Sequence, residues 1–243
     1  MTVDLKRLTA LAGELKAKQS RPPVAGRKPW RVVNATSSEA ATVYIYDDIG
    51  QDWFGDGISS KDFADEMDAI TAPVINIRFN SQGGQVFEGV AMYEAIKRHP
   101  SNTVAWIDSL AASAASFIAM ACDTVVMGKA ARMMIHDAGV GGIYISGNAR
   151  QVREAVKQVE EFADLLDSLS NTIAQIYVDK AGGTVSAWRE EMSTDRWYNA
   201  EEAVAAGLAD HIDAVPENAP EPENKPATWD VEGLRNALKG AFA

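Results

Sequence analysis

The sequence predicts an α/β fold with mostly parallel strand pairing. Short apolar segments rich in Val and Ile alternate with helical patterns of about 10–14 residues, the signature of repeated βα units. Two strand-to-helix junctions, at residues 80–85 and 108–113, carry small residues at the turn. One segment, Asn148 to Ala181, contains no Gly or Pro and repeats apolar residues at spacings of three and four, predicting a single long helix.

Taken in order, Leu5, Leu8, Leu11 and Leu15 predict a short amphipathic helix, broken by Arg21-Pro22-Pro23-Val24-Ala25-Gly26. Thr42 to Tyr46 reads as the first strand. Phe63, Met67 and Ile70 place a helix after Ser59-Ser60, and Pro73 to Phe79 form a strand through Val74, Ile75 and Ile77. Val86 to Arg98 is helical, with Val90, Tyr93 and Ile96 on one side and Pro100 beyond its end. Thr103 to Ile107 is a strand, Ser113 to Cys122 a helix, and Thr124 to Met127 a strand. Four prolines within residues 215–228 mark a linker, after which Leu234, Leu238 and Phe242 predict a last short helix. The expected organisation is a basic extension and linker over 1–37, a folded body over 38–214, and a Pro-rich linker with a short helix over 215–243.

Composition narrows the function. Of 243 residues, 47% are hydrophobic and 23% charged, enough apolar material for a full core. The net charge is −11, but residues 1–40 carry eight Lys or Arg against Asp4, Glu14 and Glu39, leaving −16 on the remainder. A body so acidic is not expected to bind nucleic acid. No run approaches the roughly 20 apolar residues of a membrane span, and the first residues lack a secretory pattern. Cys122 is the only cysteine, which excludes an intramolecular disulfide and a multi-cysteine zinc site. The expected compartment is the cytoplasm, and no cofactor or metal is expected.

Three places look chemically arranged. Asn80-Ser81-Gln82-Gly83-Gly84-Gln85 leaves backbone N–H groups unobstructed, as an oxyanion or a phosphate requires, although a glycine turn there also has a purely structural reading. In Asp108-Ser109-Leu110-Ala111-Ala112-Ser113-Ala114, a serine at a helix start feels the positive end of the dipole, but it also suits an N-cap or a small packing position. Ala131-Arg132-Met133-Met134-Ile135-His136-Asp137 delivers a histidine to a strand end. Of the other two histidines, His99 precedes Pro100 at a helix C-terminus, where no chemical role is needed, and His211 belongs to a late strand or its edge.

Together these pieces resemble a known family. Asn80-Ser81-x-Gly83-Gly84, Ala111-Ala112-Ser113-x-x-x-Phe117, Met134-Ile135-His136, Thr194-Asp195-Arg196 and Ala200-Glu201-Glu202-Ala203-x-x-x-Gly207-Leu208-Ala209-Asp210 follow the order found in the proteolytic subunit of the Clp protease. The resemblance covers roughly residues 40–214. It implies a crotonase-like fold of repeated ββα units with a long protruding handle helix, and a serine endopeptidase acting on polypeptides. It casts Ser113 as nucleophile, His136 as general base and acid, and Asp195 as the buried carboxylate orienting the imidazole. Backbone N–H groups of Gly83 and Ala114 would form the oxyanion hole. Gln82 departs from the proline usual in the family, and Asp195 has rivals in Asp137 and Asp210.

Asp48-Ile49-Gly50-x-Asp52-Trp53-Phe54-Gly55 and Val86-Phe87-Glu88-Gly89-Val90-Ala91 resemble the phage and prophage head-maturation branch, which implies capsid or scaffold proteins as substrates and the host cytoplasm as compartment. The alternatives are a general peptidase fed by a separate unfoldase ATPase, since this chain has no P-loop, and an inactive structural subunit. An acyl-CoA enzyme of the crotonase group does not need all three of Ser113, His136 and Asp195, and a Ser–Lys dyad at Lys129 is disfavoured by the histidine motif that follows it. The helix from Asn148 to Ala181 would be about 50 Å long at roughly 1.5 Å per residue, against a body about 40 Å across. Its apolar stripe therefore calls for another subunit, and the family implies a homo-oligomer of stacked rings. A break at Ser168-Leu169-Ser170-Asn171 is the alternative.

Overall fold

The computed structural model describes residues 30–213 except 37, 52–56 and 141–142. The helices expected near 4–18 and 231–242, both flanking linkers and Asp52-Trp53-Phe54-Gly55 lie outside the described residues.

The chain opens with β1 (Trp30–Val33) and β2 (Ala40–Ile45), an antiparallel pair. From β2 onward the sheet is parallel: β3 (Val74–Ser81), β4 (Asn102–Ala112), β5 (Thr124–Gly128) and β8 (His211–Asp213) follow side by side. Alternate residues of β2 and β3 are buried, including Val43, Ile45, Ile75, Ile77 and Phe79. This is the period-2 pattern of strands with one face in a core. β4 runs five residues past the predicted end at Ile107 because a second ladder continues it. Val104–Ile107 pair with β5, and Leu110–Ala112 pair with β6 (Arg132–Ile135), which in turn pairs antiparallel with β7 (Arg196–Tyr198). Thus the end of β4, with β6 at the centre and β7 at the edge, forms a small secondary sheet.

Helices cover the sheet. In α1 (Ser60–Asp68) the Ser59 side chain caps the Asp62 N–H, and Phe63 and Met67 are buried one turn apart. Ile70 falls beyond the helix end yet is still buried. α2 (Val86–Lys97) buries Gly89, Met92, Ala95 and Ile96, whereas Val90 and Tyr93, expected on the inner side, are half-buried at its margin. The reason is Gly89, where a Cβ would lie 2.8 Å from the Phe117 ring. Absence of a side chain lets the helices meet there. α3 is shorter than the predicted Ser113–Cys122. It spans Ala114–Ala119, and then the N–H groups of Met120, Ala121 and Cys122 bond three residues back, tightening the chain into a turn.

α4 (Ala149–Ala181) is one uninterrupted helix of 33 residues, begun by an Asn148/Gln151 capping box and ended at Gly182 with φ 79°. It does not break at Ser168–Asn171. The Ser170 and Thr172 hydroxyls donate to the carbonyls of Leu166 and Ser168 one turn back, so they do not draw the backbone out of the helix. Burial begins only at Ser170 and continues through Ile173, Ala174, Ile176 and Tyr177. From Ala149 to Leu169 no residue is buried, and Val156, Phe162 and Leu165 are exposed. This is the handle that the resemblance implied. α5 (Val185–Met192) and α6 (Ala200–Ala205) complete the helices of the described residues, α6 with its own Asn199/Glu202 capping box.

Asp210, one of the rival carboxylates, is tied into the framework. It accepts hydrogen bonds from the Val125 N–H and the Lys180 ammonium, both at 2.7 Å, joining β5 to the end of α4. Burial works against its ionisation, but these two donors outweigh it and hold the carboxyl below its ordinary value. The stabilisation is therefore present above about pH 4 and fades as pH falls through the lowered folded value. Asp210→Asn, which can still accept from Val125, should lower Tm by roughly 2–4 °C at neutral pH, about 1 kcal/mol after allowing for solvent screening. Melting both proteins at pH 7 and pH 3 checks this: the gap should close in acid, and an equal gap at both values would refute it.

Candidate active site

The site forms where three chain segments leave the secondary sheet and the end of β3. β4 ends at Ala112, and the next residue, Ser113, turns sharply into α3 with φ 54° and ψ −124°. Only glycine adopts this conformation without strain. Its N–H donates to the Met134 carbonyl on β6 at 2.9 Å, and its carbonyl accepts from Ser116 N–H at 3.0 Å. The Ser113 side chain caps nothing, so the N-cap reading of this serine is not what the structure shows. Its Oγ lies instead 2.6 Å from Nε2 of His136, the first residue after β6. The parallel pairing of β4 with β6 aligns the two strand ends and delivers both side chains to one place.

Asp195 stands in the turn before β7, with Oδ1 3.5 Å from Nδ1 of His136. This is ion-pair range rather than a short hydrogen bond. The resemblance implied a buried carboxylate, but the Asp195 side chain is 73% exposed; β7 is a short edge strand, and the turn before it faces solvent. Among described non-glycine residues, positive φ occurs at three positions, and two of them are Ser113 and Asp195, the latter at φ 51°. Strained backbone of this kind clusters at working sites. Neither rival carboxylate is available to the imidazole: Asp210 is engaged as described, and Asp137 pairs with Arg189 of α5 at 2.9 Å. That guanidinium also bonds Asp167 and Asn171 of α4 at 2.9 and 2.7 Å.

The glycine loop packs directly on the serine turn. A Cβ at Gly83 would come 2.6 Å from the Ala112 carbonyl and 2.7 Å from the Ala114 nitrogen, so residue 83 can only be glycine in this arrangement. The Gly83 N–H, expected to face an oxyanion, donates to Ser81 Oγ at 3.1 Å, and Ser81 in turn donates to the Asp47 carbonyl at 2.6 Å. Gly84 is different. It lines the cavity beside Ser113, and its N–H has no partner among the described residues. The Ala114 N–H, at the start of α3, is likewise unpartnered. Sequence reasoning passed over Gly84 because its distinguishing feature is a bridge: Gln85 N–H donates to the Ile49 carbonyl and Ile49 N–H to the Gly83 carbonyl, which turns the intervening Gly84 toward the cavity.

Ser113 and His136 open on a cavity of about 880 Å³, large enough for several side chains of an extended peptide. Its lining includes the apolar Phe117, Ile173 and Tyr177 and the acidic Asp47 and Asp48.

The comparisons with known proteins agree with this architecture. The sequence profile of the Clp protease family matches residues 39–215, nearly three quarters of the chain. The chain belongs to the Clp protease family. Among its relatives is the ATP-dependent Clp protease proteolytic subunit 2 of Corynebacterium glutamicum, 31% identical over 145 residues, covering 57% of this chain and 65% of that protein. A proteolytic subunit of Solanum lycopersicum is 33% identical over 137 residues, covering 55% and 61%. The chain thus spans just under two thirds of the length of these Clp relatives. A solved structure of a ClpP1 mutant from Listeria monocytogenes superposes with a TM-score of 0.57 at 22% identity, over 70% of this chain and 90% of that one. The Clp fold is therefore shared.

In chemical terms, the arrangement offers this Clp-family chain a hydroxyl within hydrogen-bond reach of an imidazole. A carboxylate stands behind that imidazole, and unpartnered backbone donors lie beside the hydroxyl.

Proposed function

We propose that the chain is a serine endopeptidase subunit that hydrolyses polypeptides through an acyl-enzyme. The observation that carries this reading is the 2.6 Å contact between Ser113 Oγ and His136 Nε2 at a strained strand-to-helix turn. A serine hydroxyl attacks poorly until a base removes its proton. In the proposed reaction, His136 Nε2 takes the proton as Oγ bonds to the scissile carbonyl carbon. The oxygen of the tetrahedral adduct becomes an anion, met by the Ala114 N–H and by the glycine loop. Within that loop the free Gly84 donor is the better placed, because Gly83 would first have to release Ser81. His136 then gives its proton to the leaving amine. Water, deprotonated by the same imidazole, hydrolyses the ester and restores Ser113.

A fluorophosphonate probe followed by peptide mapping tests the reading. Label on Ser113 is expected, and an assembled protein that takes no label would favour an inactive structural subunit. Asp195 is proposed to orient His136 and to stabilise its charged form. Because it is largely solvated and 3.5 Å away, Asp195→Asn should lower kcat by about 10²-fold, less than the ~10⁴ typical of a buried triad aspartate. Steady-state assays of Asp195→Asn beside Asp137→Asn decide it: a nearly neutral Asp195→Asn with a crippled Asp137→Asn would transfer the role.

The proposed substrates are capsid or scaffold polypeptides in phage head assembly, a reading supported by the resemblance of residues 48–55 and 86–91. The relatives' description as ATP-dependent favours a second reading, a peptidase barrel fed by a separate unfoldase. Cleavage of a folded substrate by the purified protein without nucleotide would speak for the first. Cleavage only of unfolded peptides would speak for the second. In either case the folded body over 38–214 is proposed to assemble into stacked rings through α4, in the cytoplasm.

A further inference from the structure

Behind the serine turn lies a hydrogen-bond chain that the reaction scheme does not use. Ser116, fully buried on α3, places its Oγ 2.5 Å from the Ser113 carbonyl oxygen and 2.8 Å from the hydroxyl of Tyr177 on α4, itself buried. The direction of the chain follows from counting protons. The Ser113 carbonyl can only accept, and Ser116 has one proton to give it. Tyr177 must therefore donate to Ser116; the reverse order would leave a buried phenol proton with no acceptor. Burial, opposed by the weaker effect of the Ser116 bond, pushes the Tyr177 phenol far above its ordinary value, so the donor persists at any working pH. The tilted Trp188 ring, 5.6 Å away, packs against Tyr177.

The carbonyl held by this chain belongs to the same planar peptide unit as the Ala114 N–H. Fixing one end of that plane fixes the other, which points the opposite way. With ψ of −124° at Ser113 this plane sits in a strained orientation that nothing in the residue's own preference maintains. The Ser113 carbonyl is held from behind by two donors, the Ser116 N–H at 3.0 Å and the Ser116 hydroxyl at 2.5 Å.

We propose that Ser116, with its proton directed by Tyr177, is a positioning residue that aims the Ala114 N–H at the oxyanion by anchoring the Ser113 carbonyl. This rests on the reading of Ser113 as nucleophile. The contribution falls on the tetrahedral adduct and not on the bound substrate, because the donor meets full negative charge only there.

The clean comparison is Tyr177→Phe against the double variant Tyr177→Phe/Ser116→Ala in the full chain. Tyr177→Phe leaves Ser116 free to donate to Ser113 and removes the only group that its loss would orphan. The two proteins therefore differ in the anchoring hydroxyl without a new buried unsatisfied group. Because Tyr177 also lines the cavity, Tyr177→Phe is the reference and the effect is read between the two variants, not against the parent. The double variant should lose about 10- to 100-fold in kcat at unchanged KM, somewhat less than deletion of an entire oxyanion donor. Affinity for a peptide boronate, which forms the tetrahedral adduct, should fall by the same factor, while a non-reactive peptide binds equally to both. Equal kcat and equal boronate affinity in the two proteins would overturn the proposal. If the double variant melts too low to assay, fluorophosphonate labelling of both variants below the lower transition gives the same comparison: labelling at the Tyr177→Phe rate refutes the anchor, and slowed labelling supports it. Failure of the parent itself to label at Ser113 would instead overturn the nucleophile assignment.

Discussion

Ser113→Ala is expected to reduce peptide hydrolysis by on the order of 10⁴- to 10⁶-fold while leaving the fold intact. The fold tolerates the change because the Ser113 side chain caps no helix and makes its hydrogen bond only to His136. Its backbone partners, Met134 and Ser116, are unaffected. Alanine is no more strained than serine at φ 54°, since both carry one Cβ substituent pattern disfavoured there. Binding can survive the loss of the hydroxyl, so a peptide that is still bound but not cleaved is the diagnostic result. Circular dichroism together with hydrolysis of a fluorogenic peptide makes the measurement. A variant with the parent's spectrum and activity within tenfold of the parent would remove Ser113 from the mechanism.

The second large effect is expected on α4. Val156 and Phe162 are exposed on either side of the half-buried stripe of Val152, Val159 and Leu166, in a stretch in which no residue is buried, and exposed apolar surface of this extent marks an association surface. We expect Val156→Glu/Phe162→Glu to split the proposed stacked rings into smaller species by sedimentation and to lower peptide hydrolysis by at least roughly tenfold. Like charges brought face to face across a two-fold contact repel, and their desolvation adds to the cost. Leu166 and Leu169, which share the apolar spacing of this helix, are half-buried within their own subunit, so charges there would confound unfolding with dissociation. An unchanged sedimentation profile would remove α4 from the interface.

Much of this architecture was legible in the sequence because its elements are bounded by local chemistry. The long helix could be read from the absence of Gly and Pro, and its actual limits, Asn148 as cap and Gly182 beyond the end, are residues with a known preference for those places. The α/β class followed from alternation of the patterns. What periodicity could not reveal was anything set by a distant partner. β4 outruns its apolar run because β6 continues the ladder, and α2 turns its Gly89 face inward because Phe117 sits there.

The site divides along the same line. Ser113 and His136 end apolar runs, so the sequence could bring them to attention, and parallel pairing of β4 with β6 brings them together in space. The exposure of Asp195, the capture of the Gly83 N–H by Ser81 and the pairing of Asp137 with Arg189 depend on tertiary geometry. No spacing rule encodes them. Positive φ at Ser113 and Asp195 is equally invisible in residue type, since Ser is not a usual tenant of that region and Asp only an occasional one.

The Arg189 guanidinium meets α4 at Asp167 and Asn171, where the helix passes from its free stretch into the packed body. Mechanically this is a fulcrum. Some 20 residues of rigid rod, about 30 Å, extend on the free side, and on the short side the same guanidinium holds Asp137, the residue bonded in sequence to His136. A force applied near the tip is thus multiplied into torque at the clamp. Through Arg189 the segment that carries the imidazole and the start of the rod share one anchor. The distance between the far end of the helix and the proposed base is mechanically short.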